Sequence, residues 1–441
     1  MRAIPLTSLF RALPFFALPL LLGMGGLRAE DLVAAEAPPA PTLDTGDTAW
    51  MIVATALVLM MAIPGVALFY GGMVRKKNVL SIAMQSFAIT CVVTVLWFVC
   101  GYSLAFTPGG ALFGSLDKAF LMGVRPESLF GTVPETVFIC FQLTFAIITV
   151  ALITGSVAER MKFGPLLIFS SVWLLAVYVP IAHMVWGGGF LGGAGVLDFA
   201  GGTVVHISSG VAGLVAALIL GRRIGYRREN MQPHNLVLSL IGASLLWVGW
   251  FGFNAGSAVG SNGLAGLAML VTQIAAAMGA LAWMAGEWAH RGKPSVLGAI
   301  SGAVAGLVAI TPASGFVGPA AALAIGAAGG FVCYLATNGI KRRLGYDDSL
   351  DVFGVHGIGG IAGAVLTGVF ATAGFGGKSG AVDGEGGQIL TQLYGIAVTV
   401  AWSGGVTALV LFGLKATIGI RVDEESEREG LDIRAHGESV A

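Results

Sequence analysis

The sequence predicts an all-α polytopic membrane protein, with eleven transmembrane helices that follow a cleaved signal peptide. Of its 441 residues, 56% are hydrophobic and only 11% are charged, and the mean hydropathy is +0.85. A soluble domain carries about 25% charged residues, so this chain is too apolar to cover a surface in water. The apolar residues also fall into eleven runs, each close to the roughly 20 residues that span a bilayer.

The same numbers disfavour other classes of protein. The formal net charge is zero, whereas a nucleic-acid partner calls for a basic face. The four cysteines lie inside apolar runs, without a CxxC motif or a Cys/His cluster, so we expect neither disulfides nor a metal site, and no cofactor. The 67 glycines are about twice the usual share and predict helices that pack closely in the membrane.

The N-terminal region has the pattern of a secretory signal. Arg2 and Arg11 precede an apolar stretch, and Leu-Arg-Ala ends it before an acidic pair, which predicts a signal peptide over residues 1–29. The alternative is a first transmembrane helix, but the apolar core is short and Pro14 and Pro19 interrupt it. Residues 30–46 form a Pro/Ala-rich extracytoplasmic linker without periodicity.

The membrane domain is predicted over residues 47–418, and a cytoplasmic regulatory tail over residues 419–441. The apolar runs within the domain are 48–72, 79–106, 133–157, 164–181, 201–220, 235–254, 264–289, 296–312, 318–338, 354–372 and 388–414. The connections after the odd-numbered runs one to nine hold 14 Lys and Arg residues, and the opposite connections hold three (Lys118, Arg125 and Lys378). Because basic loops stay in the cytoplasm, we expect the N-terminus outside the cell inner membrane and the C-terminus inside.

Two histidines lie in matched sequence in the fifth and tenth runs. His206 and His356 each begin a copy of V-H-x-x-x-G-x-A-G. Runs five apart cross the membrane in opposite directions, so the pattern predicts an inverted 5+5 repeat, with the eleventh helix as an extra. A single intramembrane histidine often only bonds two helices together, but a matched pair favours a functional site.

The two imidazoles can meet only if both helices begin inside the membrane. Each histidine lies a few residues after the start of its apolar run, which would otherwise place the pair near opposite faces. Re-entrant backbone is tolerated at that depth where it lines a cavity or is buried in protein, and Gly201, Gly202 and Gly354 make it plausible here. Apolar surroundings favour the neutral imidazole, so two neutral rings that share a hydrogen bond are expected to line a narrow path.

Aromatic residues near this region predict a site for a small cation. Aromatic faces attract compact cations, and Trp186, Phe145 and Ser257 together suit a cation that can also donate a hydrogen bond. Asp198 is interpreted as a structural residue, because a carboxylate at a helix N-terminus caps backbone N–H groups.

Five stretches of the chain resemble the motifs of one family, the bacterial ammonium transporters (Amt branch of the Amt/Mep/Rh superfamily). They are AHMVWGGGFL, DFAGGTVVHIS, GWFGFNAGSA, DVFGVHGIGGIAG and EREGLD. The resemblance implies a non-enzymatic homotrimer with one narrow pore in each subunit. It also implies a P-II type nitrogen regulatory protein as the partner of the tail.

The resemblance also implies roles for individual residues. Trp186, Phe145 and Ser257 match an outer ammonium-recruitment site, and Phe145 with Phe253 a stacked phenyl gate. The remaining matches are the twin histidines His206 and His356, the pore-lining Trp250, and Asp198 as support of the outer site. The implied function is ammonium transport, in which ammonium is deprotonated and ammonia is conducted, with separate proton transfer.

Two other functions remain open from the sequence. An ammonium sensor that signals through its tail would be favoured by a long cytoplasmic output domain, and only about 25 residues follow the last apolar run. A membrane protein with a bis-histidine haem is the second, although such proteins usually place several histidines on few helices, and no His-rich helix is present.

Overall fold

The computed structural model describes residues 41–440, so the predicted signal peptide and residues 30–40 of the predicted linker lie outside the described residues. In the described part the fold is almost entirely helical. One short antiparallel hairpin pairs β1 (Leu129–Phe130) with β2 (Val133–Pro134). It lies in the connection between the second and third long helices.

Eleven apolar helices match the eleven predicted runs in order. They are α1 Thr45–Met73, α2 Lys76–Phe106, α3 Glu135–Val157, α4 Phe163–Gly193, α5 Gly202–Leu220, α6 Leu236–Gly256, α7 Gly263–Arg291, α8 Val296–Ile310, α9 Pro319–Leu344, α10 Phe353–Phe370 and α11 Gly387–Thr417. Among the described residues, ten of these are long and apolar enough to cross a membrane. The exception is α8, which has 15 residues, fewer than the roughly 20 that a span needs. Eleven crossings therefore stay a prediction.

The short helix α8 and its longer neighbours pack closely at glycine residues. A Cβ atom on Gly306 of α8 would lie 2.1 Å from the carbonyl oxygen of Ala275 in α7, and one on Gly330 of α9 would lie 2.3 Å from that of Gly279. Neither position has room for a side chain, so the backbones approach directly. The glycine content thus serves helix contact, as small residues do in membrane proteins.

Several helices contain single π-helical turns, a feature often found at functional sites. Two of them begin α5 and α10, over Gly202–Ile207 and Phe353–Gly357, and each carries one of the paired histidines. Asp198 precedes His206 by eight residues, and Asp348 precedes His356 by eight. The two helix starts are thus alike in backbone form and in residue spacing. This likeness supports the inverted repeat, which remains a prediction.

The tail folds against the membrane domain through two short helices, α12 (Glu424–Glu429) and α13 (Leu431–His436). Glu427 and Asp432 are 2% and 1% exposed. The Asp432 carboxylate accepts the backbone N–H groups of Leu80 and Ser81 at the start of α2, at 3.1 and 2.8 Å. The tail is therefore held in place, because its buried carboxylates satisfy backbone donors of the neighbouring segments.

Candidate functional site: a buried histidine pair between two cavities

The two histidines meet in the middle of the helical bundle. His206 and His356 are 1% and 4% exposed. Their Nδ1 atoms are 3.2 Å apart, and the ring centroids are separated by 5.2 Å. The helices that carry them begin only a few residues earlier, at Gly202 and Phe353. Both helix starts are therefore buried inside the protein; that they lie at membrane depth stays a prediction.

Glycine allows the two helix starts to touch. A Cβ atom on Gly210 of α5 would lie 2.2 Å from the backbone nitrogen of Gly357, the residue after His356. A methyl group at position 210 would force the two helices apart. The glycine shared by both copies of the histidine motif is thus a packing requirement of the histidine pair.

Asp198 organises the start of α5. Its carboxylate accepts four backbone N–H groups, those of Gly201, Gly202, Thr203 and Val204, at 2.6–3.0 Å. Helix N-termini leave such donors unsatisfied, and a carboxylate there also complements the helix dipole. The geometry is that of a helix cap, as the structural interpretation of Asp198 requires.

Asp348 has the corresponding position at the start of α10, and sequence reasoning missed it. Its Oδ2 atom accepts the N–H of Phe353 at 2.7 Å, and the residue is 1% exposed. Burial raises the pKa of the Asp348 carboxyl above its usual range. The signal was present in the sequence, since both aspartates stand eight residues before a histidine.

Two phenylalanines stack next to the histidine pair. The rings of Phe145 (α3) and Phe253 (α6) are 4.2 Å apart and inclined by 23°. The Phe253 ring lies 6.0 Å from that of His206. Trp250, one turn earlier on α6, stacks against His206 at 5.4 Å and donates its indole N–H to Thr311 at 2.9 Å. Aromatic faces thus surround His206.

A cavity of about 170 Å³ lies on the far side of the stacked phenyl rings; we call it the Trp186 cavity. Trp186 meets Phe145 edge to face, with centroids 5.9 Å apart, and its indole N–H is held by the carbonyl oxygen of Asp198 at 2.9 Å. The residues that line the cavity are Phe106, Phe130, Phe138, Gln142, Phe145, Trp186, Phe199, Ser257 and Val259. The structure therefore brings together all three residues of the cation site that the sequence predicts.

Two side-chain oxygens in this cavity are available as hydrogen-bond acceptors. The Ser257 hydroxyl donates its proton to the carbonyl oxygen of Phe253 at 2.9 Å, so its lone pairs remain free. Gln142 is 8% exposed, and its Oε1 atom has no hydrogen-bond partner. Sequence reasoning gave Gln142 no role, although a polar residue three positions before Phe145 shares that face of α3.

Two cavities lie on the side of the histidine pair that faces away from the Trp186 cavity, a very small one and then a large one. A cavity of only about 10 Å³ lies beside the two imidazoles, close to the smallest volume that holds one water molecule. Its wall is almost wholly apolar, apart from the histidines and Tyr70 and Trp250. His356 also lines a much larger cavity of about 470 Å³, which we call the basic cavity because Arg223, Arg227, Arg291, Lys341 and Arg342 line it. The order of the site is Trp186 cavity, phenyl pair, histidine pair, basic cavity.

A buried ion network stiffens the loops of the basic end. Arg223 is bonded to Asp347 and Glu159, at 2.9 and 3.2 Å, and Arg75 contacts Glu159 at 2.8 Å. Burial alone would raise the pKa of the Glu159 carboxyl, but the guanidinium groups of Arg223 and Arg75 outweigh it and hold the pKa below its usual range. A carboxylate kept ionised in this way fixes the loop that leads into the basic cavity.

The geometry also addresses the alternative of a bis-histidine haem. A porphyrin would have to lie between the two rings, and their nitrogens are in direct hydrogen-bonding contact. The histidine pair therefore does not fit this alternative.

Fold and site together define a polytopic α-helical membrane protein with a narrow, apolar passage between two cavities. The sequence profile of the Ammonium Transporter Family matches residues 49–441. The chain belongs to this family. It is 50% identical over 405 residues to the ammonium transporter of Aquifex aeolicus (strain VF5), a match that covers 90% of this chain and 94% of that one. It is 48% identical over 402 residues to the ammonium transporter of Bacillus subtilis (strain 168), with 90% and 99% covered.

Solved structures share the fold. The crystal structure of Saccharomyces cerevisiae Mep2 superposes with a TM-score of 0.81 at 37% identity, over 87% of this chain and 89% of that one. A structure entitled "Sensor Amt Protein" gives a TM-score of 0.81 at 29% identity, over 89% and 98%. Relatives named as transporters support ammonium transport, and no enzymatic reaction, as the function of this membrane protein.

Proposed function

We propose that the protein recruits ammonium in the Trp186 cavity, removes one proton, and conducts ammonia past His206 and His356 into the basic cavity, while the proton is transferred separately to the same side. The observation that carries this proposal is the direct contact of two buried imidazoles in an apolar passage scarcely large enough for one water molecule.

Loop charge supports the orientation. The loops at the end of the basic cavity hold most of the basic residues of the connections, and such loops stay in the cytoplasm. The Trp186 cavity then opens to the outside of the inner membrane, and eleven crossings bring the tail to the cytoplasmic face. Transport in this orientation is uptake.

The walls of the Trp186 cavity suit ammonium as the recruited ion. The faces of Phe145 and Trp186 attract a compact cation at about 0.5–2 kcal/mol each. Ser257 Oγ and Gln142 Oε1 offer acceptors to a cation that carries N–H donors. Potassium gains the aromatic attraction but has no N–H to donate. This site therefore concentrates ammonium without being the main source of selectivity.

The passage itself discriminates by charge. A cation that loses its water shell in apolar surroundings pays a large desolvation cost, and the stacked rings of Phe145 and Phe253 leave no room for that shell. Potassium cannot lose its charge. Ammonium gives up a proton and continues as neutral ammonia, which needs only hydrogen-bonding partners on its way.

The histidine pair supplies those partners. In the Nδ1–Nδ1 bond, one ring donates and the other accepts, so the two Nε2 atoms differ in character: one is an acceptor and the other an N–H donor. His206 Nε2 has no partner within the protein. An ammonia molecule, which both donates and accepts, can bond to either nitrogen. The shared bond also gives a proton a place to move between the rings.

The family resemblance supports two further proposals: the protein assembles as a homotrimer, and its tail docks a P-II type regulatory protein at the cytoplasmic face. Within the chain, the packing of α12 and α13 against the loops of the basic end supports the second. A partner bound to this tail would lie next to the exit of the passage.

Reconstitution into lipid vesicles tests the proposed function. A jump in external ammonium should produce a rise in internal ammonia and a charge movement that saturate with concentration, while an equal jump in potassium produces neither. Normal incorporation of the purified protein with no ammonium flux above that of empty vesicles would overturn the proposal.

A further inference from the structure

A third buried histidine lies outside the proposed passage, near the end of α4. His183 is 1% exposed, and both of its ring nitrogens face carbonyl oxygens of the backbone. Nδ1 is 3.0 Å from the oxygen of Ala105, and Nε2 is 2.9 Å from the oxygen of Gly110. A carbonyl oxygen can only accept, whereas a neutral imidazole has one N–H and one lone pair. Only the imidazolium ion, with two N–H groups, satisfies both oxygens.

The local backbone favours a positive charge at this ring. His183 lies in the last turn of the helical stretch Val179–Val185, where the partial negative charge of a helix C-terminus stabilises a cation. The contact is also tightly enclosed. A Cβ atom on Gly187 would lie 2.0 Å from the Ala105 oxygen and 2.6 Å from His183 Nδ1, so only glycine at this position leaves room for the contact between the ring and the oxygen.

The titratable groups around His183 are bonded to other partners. The end of α2 and the start of α5 pack against this stretch of α4; their titratable side chains are Tyr102, which donates to Glu135 at 2.6 Å, and His206, which is bonded to His356. In the connection that follows α2, Asp117 accepts from Ser115, and Lys118 pairs with Glu135. The hydrogen-bond partners of the His183 ring are thus the two carbonyl oxygens.

The two carbonyl oxygens belong to Ala105 and Gly110, and the segment between them includes Phe106, which forms part of the wall of the Trp186 cavity. Phe106 follows Ala105 directly and lines that cavity, as does Trp186, three residues after His183. We propose that His183 is an imidazolium ion that positions the Trp186 cavity: its two N–H groups tie the segment that carries Phe106 to the segment that carries Trp186. The positioning role rests on the proposed recruitment site; the protonation state of the ring does not.

Only the doubly protonated ring supplies both ties, and these fix the cavity walls relative to each other. A neutral ring would keep one N–H, and its lone pair would face the second oxygen. That segment would then loosen, and recruitment would weaken. His183 is a positioning residue in this account, because it does not itself contact the cation.

Solid-state NMR on the full protein with ¹⁵N-labelled histidine in lipid bilayers tests the protonation state. We expect both ring nitrogens of His183 to carry a proton at about pH 7. The signal is assigned by its loss in His183→Gln. Should that variant fail to assemble, transfer to ¹³C-labelled alanine carbonyls assigns it, because among the histidine ring contacts in residues 41–440 only that of His183 reaches an alanine oxygen. A single protonated nitrogen at that pH would overturn the proposal.

Methylammonium uptake tests the positioning role. The amide of His183→Gln donates to one carbonyl oxygen but presents its own oxygen to the other. We expect its KM to exceed that of the wild type about tenfold, with kcat nearly unchanged. An unchanged KM, or a loss of kcat with KM unchanged, contradicts the positioning role.

A control separates this inference from the proposed function. Trp186→Leu should raise KM while both ring nitrogens of His183 stay protonated, because the indole makes no bond to that ring. If Trp186→Leu leaves KM unchanged, the recruitment site itself is wrong. The NMR result for His183 would still decide whether the ring is an imidazolium ion.

Discussion

At the scale of single residues, the site depends on polar atoms that the protein leaves without partners. His206 Nε2 and Gln142 Oε1 are buried and have no hydrogen-bond partner in the protein. Such atoms cost roughly 1–3 kcal/mol each when they stay unsatisfied. Their positions, in the passage and in the Trp186 cavity, mean that a hydrogen-bonding guest recovers this cost.

The contribution of Trp186 is open to a direct test. Replacing Trp186 with Leu removes one aromatic face worth about 1 kcal/mol to a cation, so the KM of methylammonium uptake should rise about threefold to tenfold. The matched control is Trp288→Leu, because Trp288 is 64% exposed and does not line the Trp186 cavity. An unchanged KM in Trp186→Leu, with normal protein levels, would identify the indole as a packing group.

Asp198 should affect stability as well as transport. Asp198→Ala leaves four N–H groups at the start of α5 without their acceptor, at a cost of about 1–3 kcal/mol or more. Thermal unfolding in detergent should therefore begin several degrees lower, with loss of uptake. A variant that is as stable as the wild type but inactive would show that the carboxylate acts on the substrate directly.

The sequence predicted the site residues that lie in a repeated motif or directly before a helix. It missed the residues whose role depends on contacts with distant segments of the chain. His206 and His356 were recognisable from a repeated motif, and Asp198 from its place before a helix. The free oxygen of Gln142 is a consequence of which neighbours surround it, which no local pattern records. The double carbonyl contact of His183 likewise joins residues more than 70 positions apart.

At the scale of helices, the decisive feature is that α5 and α10 begin inside the protein. Their first turns are π-helical and are joined by the histidine bond and by the Gly210–Gly357 contact. A hydropathy pattern marks where apolar residues begin, not how deep in the membrane the helix starts. For this reason the sequence located the starts of the two helices within a few residues, but it could not decide whether their histidines meet.

A glycine substitution tests the contact between these helices. Gly210→Ala adds a methyl group where Gly357 N would be 2.2 Å away, so α5 and α10 must separate and the histidine bond must lengthen. We expect uptake to fall at least tenfold. Gly405→Ala is the control, because a Cβ atom at Gly405 of α11 meets nothing within 4 Å; equal activity of both variants would contradict the close contact.

The tail is the second element whose contacts suggest a test. Deleting the residues after Arg421 removes Glu427, which accepts the N–H of Ile224 at 2.6 Å, and Asp432, which caps α2. The loop at Ile224 borders the basic cavity, so the transport rate should change and inhibition by a P-II protein should disappear. Selectivity for ammonium over potassium should persist. Inhibition that survives the deletion would place the partner's binding surface elsewhere.

At the scale of the whole molecule, the proposed selectivity follows from the order of the parts. In this proposal an aromatic cavity concentrates the cation, stacked phenyl rings exclude its water, and a pair of neutral imidazoles accepts the uncharged molecule. Each part alone discriminates weakly between two cations of similar size. The sequence predicted the class and the helix order because composition and loop charge are properties of the whole chain; the series of cavities required the packed structure.

The central claim is that potassium is excluded because only ammonium can lose a proton before it reaches the histidines. An acidic side chain in the passage would give a cation a partner and remove the need for proton loss. Potassium flux into vesicles that contain His206→Glu or His356→Glu measures this directly, with His436→Glu in the tail as the control. The account predicts potassium permeation in the first two variants and none in the control. Potassium exclusion that persists in both passage variants, with ammonium transport intact, would contradict it.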